Sequence, residues 1–124
     1  MYTIHSMKKA LGEFLRIQRE ELKKEDKSYS LRQVAQRIRV EPSYLSKVER
    51  GENVSLSEEK LILLAKDLDQ DPDIVLALSG RVSSDLQEVI RKRPVLFARL
   101  LRELKNAPDN AVLRVVREVR DGEW

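Results

Sequence analysis

The sequence predicts an all-α protein of eight helices, and three observations support this prediction. Apolar residues recur at spacings of three, four and seven, which is the period of helices that bury one face. Helix-capping residues or prolines stand before most of these segments, where they favour a helix start. With only four Gly and four Pro among 124 residues, few long loops are expected. We expect a five-helix domain over residues 8–80 and a three-helix extension over residues 81–124.

The first two helices are predicted from their apolar stripes. The first is expected from about residue 8 to residue 24, and a polar connector follows it. Ser30 is a good N-cap for the second helix, which shows the i, i+3, i+4, i+7 pattern of one buried face. The stripe residues are Leu11, Leu15 and Leu22 in the first helix, and Leu31, Val34, Ala35 and Ile38 in the second.

The third helix is expected to be short. It begins at Pro42, because the missing N–H of proline costs nothing at the first helical position, and it ends at about Glu49. Gly51 provides the stop, since glycine accepts the left-handed conformation that is common just past a helix end. Leu45 and Val48 lie three residues apart and are expected to face the core.

The fourth and fifth helices complete the first domain. Ser57 is the expected cap of a helix over about residues 58–68. The fifth helix begins at Asp71-Pro72, a cap followed by a proline at the first position, and ends before Gly80. Its expected apolar contacts are Ile74, Leu76 and Leu78.

The extension is predicted to form three amphipathic helices, at about residues 84–92, 94–105 and 109–120. A single helix cannot bury an apolar stripe by itself, so these stripes must pack on the first domain or on a second chain. We expect a homodimer interface here, with packing inside the chain as the alternative. The stripes of the last two helices are Phe97, Leu100, Leu101 and Leu104, then Val112, Val115, Val116 and Val119.

The composition argues against enzyme chemistry. There is no Cys, and His5 is the only histidine, so zinc sites and nucleophile–base pairs lack their residues. Four aspartates at alternate positions from Asp67 resemble the start of a calcium loop. The sixth position of that loop is Pro72 instead of Gly, however, and the twelfth is Leu78 instead of Glu. We therefore expect no enzymatic activity, no metal and no cofactor.

No apolar run approaches the roughly 20 residues that span a bilayer, and the N-terminus lacks a signal-peptide pattern. We expect a protein of the cytoplasm with no membrane partner.

The net charge is only +3, but its distribution is uneven. Residues 27–50 hold six basic and two acidic residues, whereas residues 52–73 hold two basic and seven acidic ones. Such an uneven distribution of charge either orients the molecule on a polyanion or reflects only charged side chains that keep helix surfaces solvated.

The most informative stretch of the sequence runs from Ser30 to Gly51 and predicts two short helices joined by a tight turn. Ala35 is small where the helices must cross closely, and Val40 is an apolar plug for the turn. With the apolar positions facing inward, three side chains are left on the outer face of the third helix, near its N-terminus: Ser43, Tyr44 and Lys47. A helix presented in this way fits the major groove of DNA.

Two segments at the correct separation carry a family resemblance. Ser-Leu-x-x-x-Ala from Ser30, and Pro-Ser-Tyr-Leu-Ser-Lys-Val-Glu-Arg-Gly from Pro42, look like the signature of phage-repressor-like helix-turn-helix regulators, the XRE or Cro/C1 family. The resemblance covers about residues 8–80. Arg39 stands where the family usually has Gly, and a non-glycine residue in a left-handed turn costs about 1 kcal/mol. The first helix also looks longer than in the shortest members.

The resemblance implies roles for individual side chains. It places Ser43, Tyr44 and Lys47 at base edges, and Arg32, Arg50 and Asn53 at phosphates. Tyr44 has the alternative of packing on the turn before the third helix, and Lys47 that of a solvated lysine. Glu49 is expected to be structural and to pair with Arg37 or Arg32.

The function implied by this resemblance is that of a sequence-specific DNA-binding transcriptional regulator. The simplest form is a dimeric repressor bound to a palindromic double-stranded operator. The alternative is an antitoxin or adaptor whose C-terminal helices bind a protein partner, with DNA binding for autoregulation.

Overall fold

The computed structural model describes residues 4–124, and all the regular elements of this part of the chain are helical, as the sequence predicts. The eight α-helices are α1 (Ile4–Lys23), α2 (Leu31–Arg37), α3 (Pro42–Glu49), α4 (Glu58–Asp67), α5 (Pro72–Leu78), α6 (Ser84–Lys92), α7 (Pro94–Leu104) and α8 (Asp109–Asp121). The structure divides into two units, of which the first ends at Ser83 and the second covers Ser84–Trp124.

Side-chain caps explain why several helices begin where they do. Ser30, Ser57 and Asp71 each accept a backbone N–H from the first turn of α2, α4 and α5, respectively. These caps satisfy donors that have no partner inside the helix. A short 3-10 helix, Lys27–Tyr29, replaces the irregular connector expected before α2, and Asp26 caps it through the N–H of Ser28.

The core of the first unit combines residues from α1 to α5 and the segment before α4. The predicted inward-facing residues of α2 and α3 are buried, among them Val34, Leu45 and Val48. Ile74 was expected to contact the core, but it is 55% exposed. The helical period from Pro72 instead turns the next two residues inward. The core residues are Leu11, Leu15, Val34, Ala35, Ile38, Leu45, Val48, Leu56, Leu61, Leu64, Ala65, Leu68, Val75 and Leu76.

The second unit has a different character, because none of its described residues is buried. Its helices are nevertheless amphipathic, and large apolar side chains such as Leu101 and Val119 are 58% and 65% exposed. This apolar surface lacks the cover that a protein core provides. Within residues 4–124, no helix is both long and apolar enough to cross a membrane.

Candidate nucleic-acid interface

The turn between α2 and α3 depends on a left-handed residue. Arg39 has a φ of 60°, at the position where the resemblance leads one to expect Gly. The N–H groups of Arg39 and Val40 donate to the carbonyls of Gln36 and Ala35, at 3.1 and 3.0 Å. These bonds close the end of α2 and reverse the chain over two residues. The prediction that Arg39 occupies the left-handed conformation is confirmed.

A lysine from α4 also stabilises this turn. The Lys60 Nζ donates to the carbonyl oxygen of Ile38 at 2.9 Å, next to the end of α2. The last carbonyls of a helix lack partners within the helix and carry its negative dipole end, so a lysine is well suited to this position. No expectation from the sequence includes this role of Lys60.

The placement of α3 is fixed by a close crossing with α1. A Cβ added to Gly12 would lie 2.7 Å from the carbonyl oxygen of Glu49 and closer still to that of Val48. A Cβ on Gly51, whose φ is 71°, would lie 2.7 Å from the Cα of Lys9. Glycine at both positions therefore lets the backbone of α1 pack directly on the C-terminal end of α3.

A buried ion pair ties the same two helices together. Arg19 on α1 donates from Nε to Glu49 Oε2 at 2.7 Å and from Nη2 to Oε1 at 2.9 Å. Both side chains are 5% exposed. Hydrogen bonding to Glu49 raises the pKa of the Arg19 guanidinium above its ordinary value, in spite of the opposing effect of burial. The ion pair therefore holds the side chain of Glu49, the last residue of α3, as a charged carboxylate that is bound through both oxygens.

The predicted pairing of Glu49 with Arg37 or Arg32 is wrong. Arg37 instead binds both carboxylate oxygens of Asp67 on α4, at 2.7 and 3.0 Å. Its guanidinium also lies 5.0 Å from the ring centroid of Tyr29. The expectation that Glu49 is structural agrees with its burial.

The outer face of α3 presents two polar side chains without partners among the described residues. Ser43 and Lys47 are exposed and lie four residues apart, one turn along the helix. They line a shallow open depression together with Val40, Glu41 and Tyr44. The opposite face of α3 is held in the core by Leu45 and Val48. The structure thus brings the predicted base-contacting residues together on one surface.

Tyr44 is partly committed to the fold. Its hydroxyl donates to the carbonyl oxygen of Ser55 at 2.5 Å, and its ring packs against the core. This hydrogen bond joins α3 to the segment that follows it, and packing of the ring on the turn before α3 stays a prediction. The side chain remains half-exposed, and its contact with bases stays a prediction.

The three predicted phosphate contacts differ in their surroundings. Arg32 is exposed at the second position of α2 and has no partner among the described residues. Arg50 pairs with Glu52 at 2.5 Å and also donates to the Ser46 hydroxyl. The amide oxygen of Asn53 accepts from Lys8 Nζ at 2.8 Å. Arg50 and Asn53 would therefore exchange an internal partner for a phosphate.

The site consists of two short helices around a left-handed turn, and the second helix is buried on one face and polar on the other. This is the arrangement of DNA-binding helix-turn-helix proteins. A family model described as a helix-turn-helix domain matches residues 10–78, over half of the 124 residues, and the chain belongs to this family. The protein is accordingly a DNA-binding transcriptional regulator. The match confirms the helix-turn-helix prediction.

The chain is similar to a solved structure, the crystal structure of the clp gene regulator ClgR from Corynebacterium glutamicum. The two share 30% sequence identity over 77% of this chain and 89% of ClgR, with a TM-score of 0.48. No curated protein matches the sequence.

Among the described residues, no group of three or more metal-ligating side chains occurs.

Proposed function

We propose that this protein is a dimeric repressor that recognises its operator through α3, placed in the major groove of double-stranded DNA. The observation that carries the proposal is the pair Ser43 and Lys47, exposed and without partners in the part of the chain that the structure describes, on the outer face of a helix whose inner face is buried. A side chain with no internal partner gives up no intramolecular bond when it binds a base edge.

Each side chain has a distinct chemical role in this proposal. Lys47 donates to guanine O6 or N7, and Ser43, which pairs with several bases, discriminates weakly. Tyr44 contributes its ring edge to a thymine methyl, since its hydroxyl is held by Ser55. Arg32 and the free N–H groups at the start of α2 bind a phosphate, with Arg50 and Asn53 as further phosphate contacts.

The charge distribution favours the same orientation. The segment that contains α2 and α3, residues 27–50, has six basic residues against two acidic ones. The segment that contains α4, residues 52–73, has seven acidic residues against two basic ones. A polyanion therefore attracts the α2–α3 side of the first unit and repels the α4 side.

The first test is Lys47→Ala. Loss of a base contact is expected to weaken binding to the selected operator by about 1–3 kcal/mol, and to relax the preference at one base pair. Binding assays against the operator and against single-base variants measure both effects. The matched control is Lys66→Ala, which removes the same charge from an exposed site on α4 and should leave affinity nearly unchanged. A uniform loss over all DNA sequences would instead make Lys47 a phosphate contact.

We further propose that the second unit mediates dimerisation. None of the described residues of α6, α7 or α8 is buried, although the helices carry continuous apolar stripes. A second copy of the chain would cover these stripes and place two α3 helices on half-sites about one helical turn apart. Such a dimer on a palindromic operator represses by blocking access of the polymerase.

The dimer is tested by two variants matched in exposure. Val116, 52% exposed, belongs to the apolar stripe of α8, whereas Leu113, 51% exposed, lies off that stripe. Val116→Asp is expected to weaken self-association at least roughly tenfold, because it buries an unpaired charge in the interface, and Leu113→Asp should change it little. Analytical ultracentrifugation over a concentration series measures the difference. Equal effects of the two variants would contradict the assignment of the stripe.

The exposed stripes of the second unit also suit a second candidate function, that of an antitoxin or adaptor. In this case another protein covers α6–α8, and DNA binding serves autoregulation. Two results together would favour this function over the dimeric repressor. The purified chain would sediment as a monomer at tens of micromolar, and a partner would co-purify with it in stoichiometric amounts.

A further inference from the structure

A cavity of about 200 Å³ opens in the first unit, and Val48 from the inner face of α3 is part of its lining. Its floor consists of core side chains from three helices and from the segment before α4: Leu11, Val48, Leu56 and Leu61. All four are at most 9% exposed. The cavity is larger than the roughly 150 Å³ that suffices to hold a benzene molecule between apolar side chains.

The ionisable residues in the lining of the cavity are positively charged. Lys8 on α1 and Arg81 after α5 are its two ionisable lining residues, and no described lining residue carries a carboxylate. The Nζ of Lys8 gives one bond to Asn53, and Nη1 of Arg81 gives one to the carbonyl of Leu56 at 3.0 Å. An ammonium has three N–H donors and a guanidinium five, so each group has more donors than these bonds use.

We propose that this cavity binds a small carboxylate with an apolar body of about the size of a benzene ring. The apolar body occupies the floor, and the carboxylate accepts hydrogen bonds from Lys8 and Arg81. An apolar cavity with a few convergent polar groups is the usual form of a small-molecule site. The absence of described acidic residues in the lining favours an anion over a neutral or cationic ligand of the same shape.

The position of the cavity suggests what the ligand would influence. Val48, part of its floor, is an inner-face residue of α3. Ser55, which also lines it, holds the hydroxyl of Tyr44 through its carbonyl. A ligand would therefore contact the back of the helix that recognises DNA. This consequence rests on the proposed function, whereas binding of the ligand does not.

The test uses the full chain without DNA, so its outcome is independent of the proposed function. Benzoate, benzyl alcohol and benzylamine serve as probes of one shape and three charges, and methyl NMR spectra of the leucines and valines report binding. Benzoate is expected to shift the methyl signals of Leu56 and Leu61 at millimolar concentration, and to bind about tenfold more tightly than benzylamine. Equal binding of the three probes, or no shift with any of them, would overturn the proposal.

Two pairs of variants locate the carboxylate. Arg81→Met should weaken benzoate binding about tenfold and leave benzyl alcohol binding unchanged, while Arg81→Lys retains most of the benzoate affinity. Lys8→Met and Lys8→Arg provide the same comparison from α1, in case Arg81→Met fails to fold. If benzoate bound a folded methionine variant of either residue as tightly as the wild-type chain, that residue would not hold the carboxylate. If this were true of both, the assigned site would be wrong.

Discussion

Replacing Arg19 by Met is expected to lower the free energy of unfolding of the first unit by about 3–5 kcal/mol. The substitution keeps most of the apolar stem but removes the guanidinium that faces both carboxylate oxygens of Glu49. Glu49 would then be a buried carboxylate without a charged partner, which is far less favourable than the pair. Arg19 also donates to the carbonyl of Tyr29 at 3.2 Å, so the 3-10 helix before α2 loses an anchor as well.

Two comparisons separate this effect from a general loss of charge. Arg16→Met changes an exposed arginine one turn earlier on α1 and should alter stability by less than about 0.5 kcal/mol. The double variant Arg19→Met, Glu49→Met removes both charges and should recover much of the lost stability. Urea denaturation at one fixed protein concentration measures all three. If Arg19→Met were as mild as Arg16→Met, the ion pair would not hold α3 in place.

Gly12→Ala is expected to lower the free energy of unfolding by about 3 kcal/mol. In the middle of a helix, alanine would normally be favoured over glycine by about 1 kcal/mol. Here the added methyl group would meet the backbone carbonyl oxygens of Val48 and Glu49, which cannot rotate away as a side chain could. The helices would have to separate, which would open the core and weaken the bonds between Arg19 and Glu49.

The neighbouring substitution Glu13→Ala is the control for Gly12→Ala, since it leaves the same alanine side chain at an exposed position of α1. It should change stability by no more than about 0.5 kcal/mol. Thermal denaturation followed by circular dichroism compares the two variants. A Gly12→Ala protein as stable as the wild type would show that α1 and α3 do not approach as closely as the structure places them.

Local signals in the sequence predicted most of the helix boundaries. The bounds of α3 and α6, and the caps Ser30, Ser57 and Asp71, follow from residue preferences that act within one turn of helix. The tertiary contacts were harder to predict, because they depend on which helices cross. Proximity in the sequence predicts Arg37 or Arg32 as the partner of Glu49, whereas the observed partner, Arg19, lies thirty residues earlier on α1.

The candidate site shows the same division between local and tertiary information. The exposure of Ser43 and Lys47 follows from the helical period, which turns Leu45 and Val48 inward. The hydroxyl of Tyr44, the amide of Asn53 and the guanidinium of Arg50 all have partners that the period does not reveal. A glycine in the middle of α1 was the one available signal of the close crossing at Gly12, since such a residue is otherwise unfavourable in a helix.

Selection of bound DNA from a random pool, with the full chain as bait, tests the central claim most directly. We predict one enriched palindromic sequence with half-sites centred about one helical turn apart, and loss of enrichment in the double variant Ser43→Ala, Lys47→Ala. Binding of the enriched DNA should fall steeply as salt rises. A pool without an enriched sequence, or the same enriched sequence with the double variant, would contradict the claim that α3 recognises DNA bases.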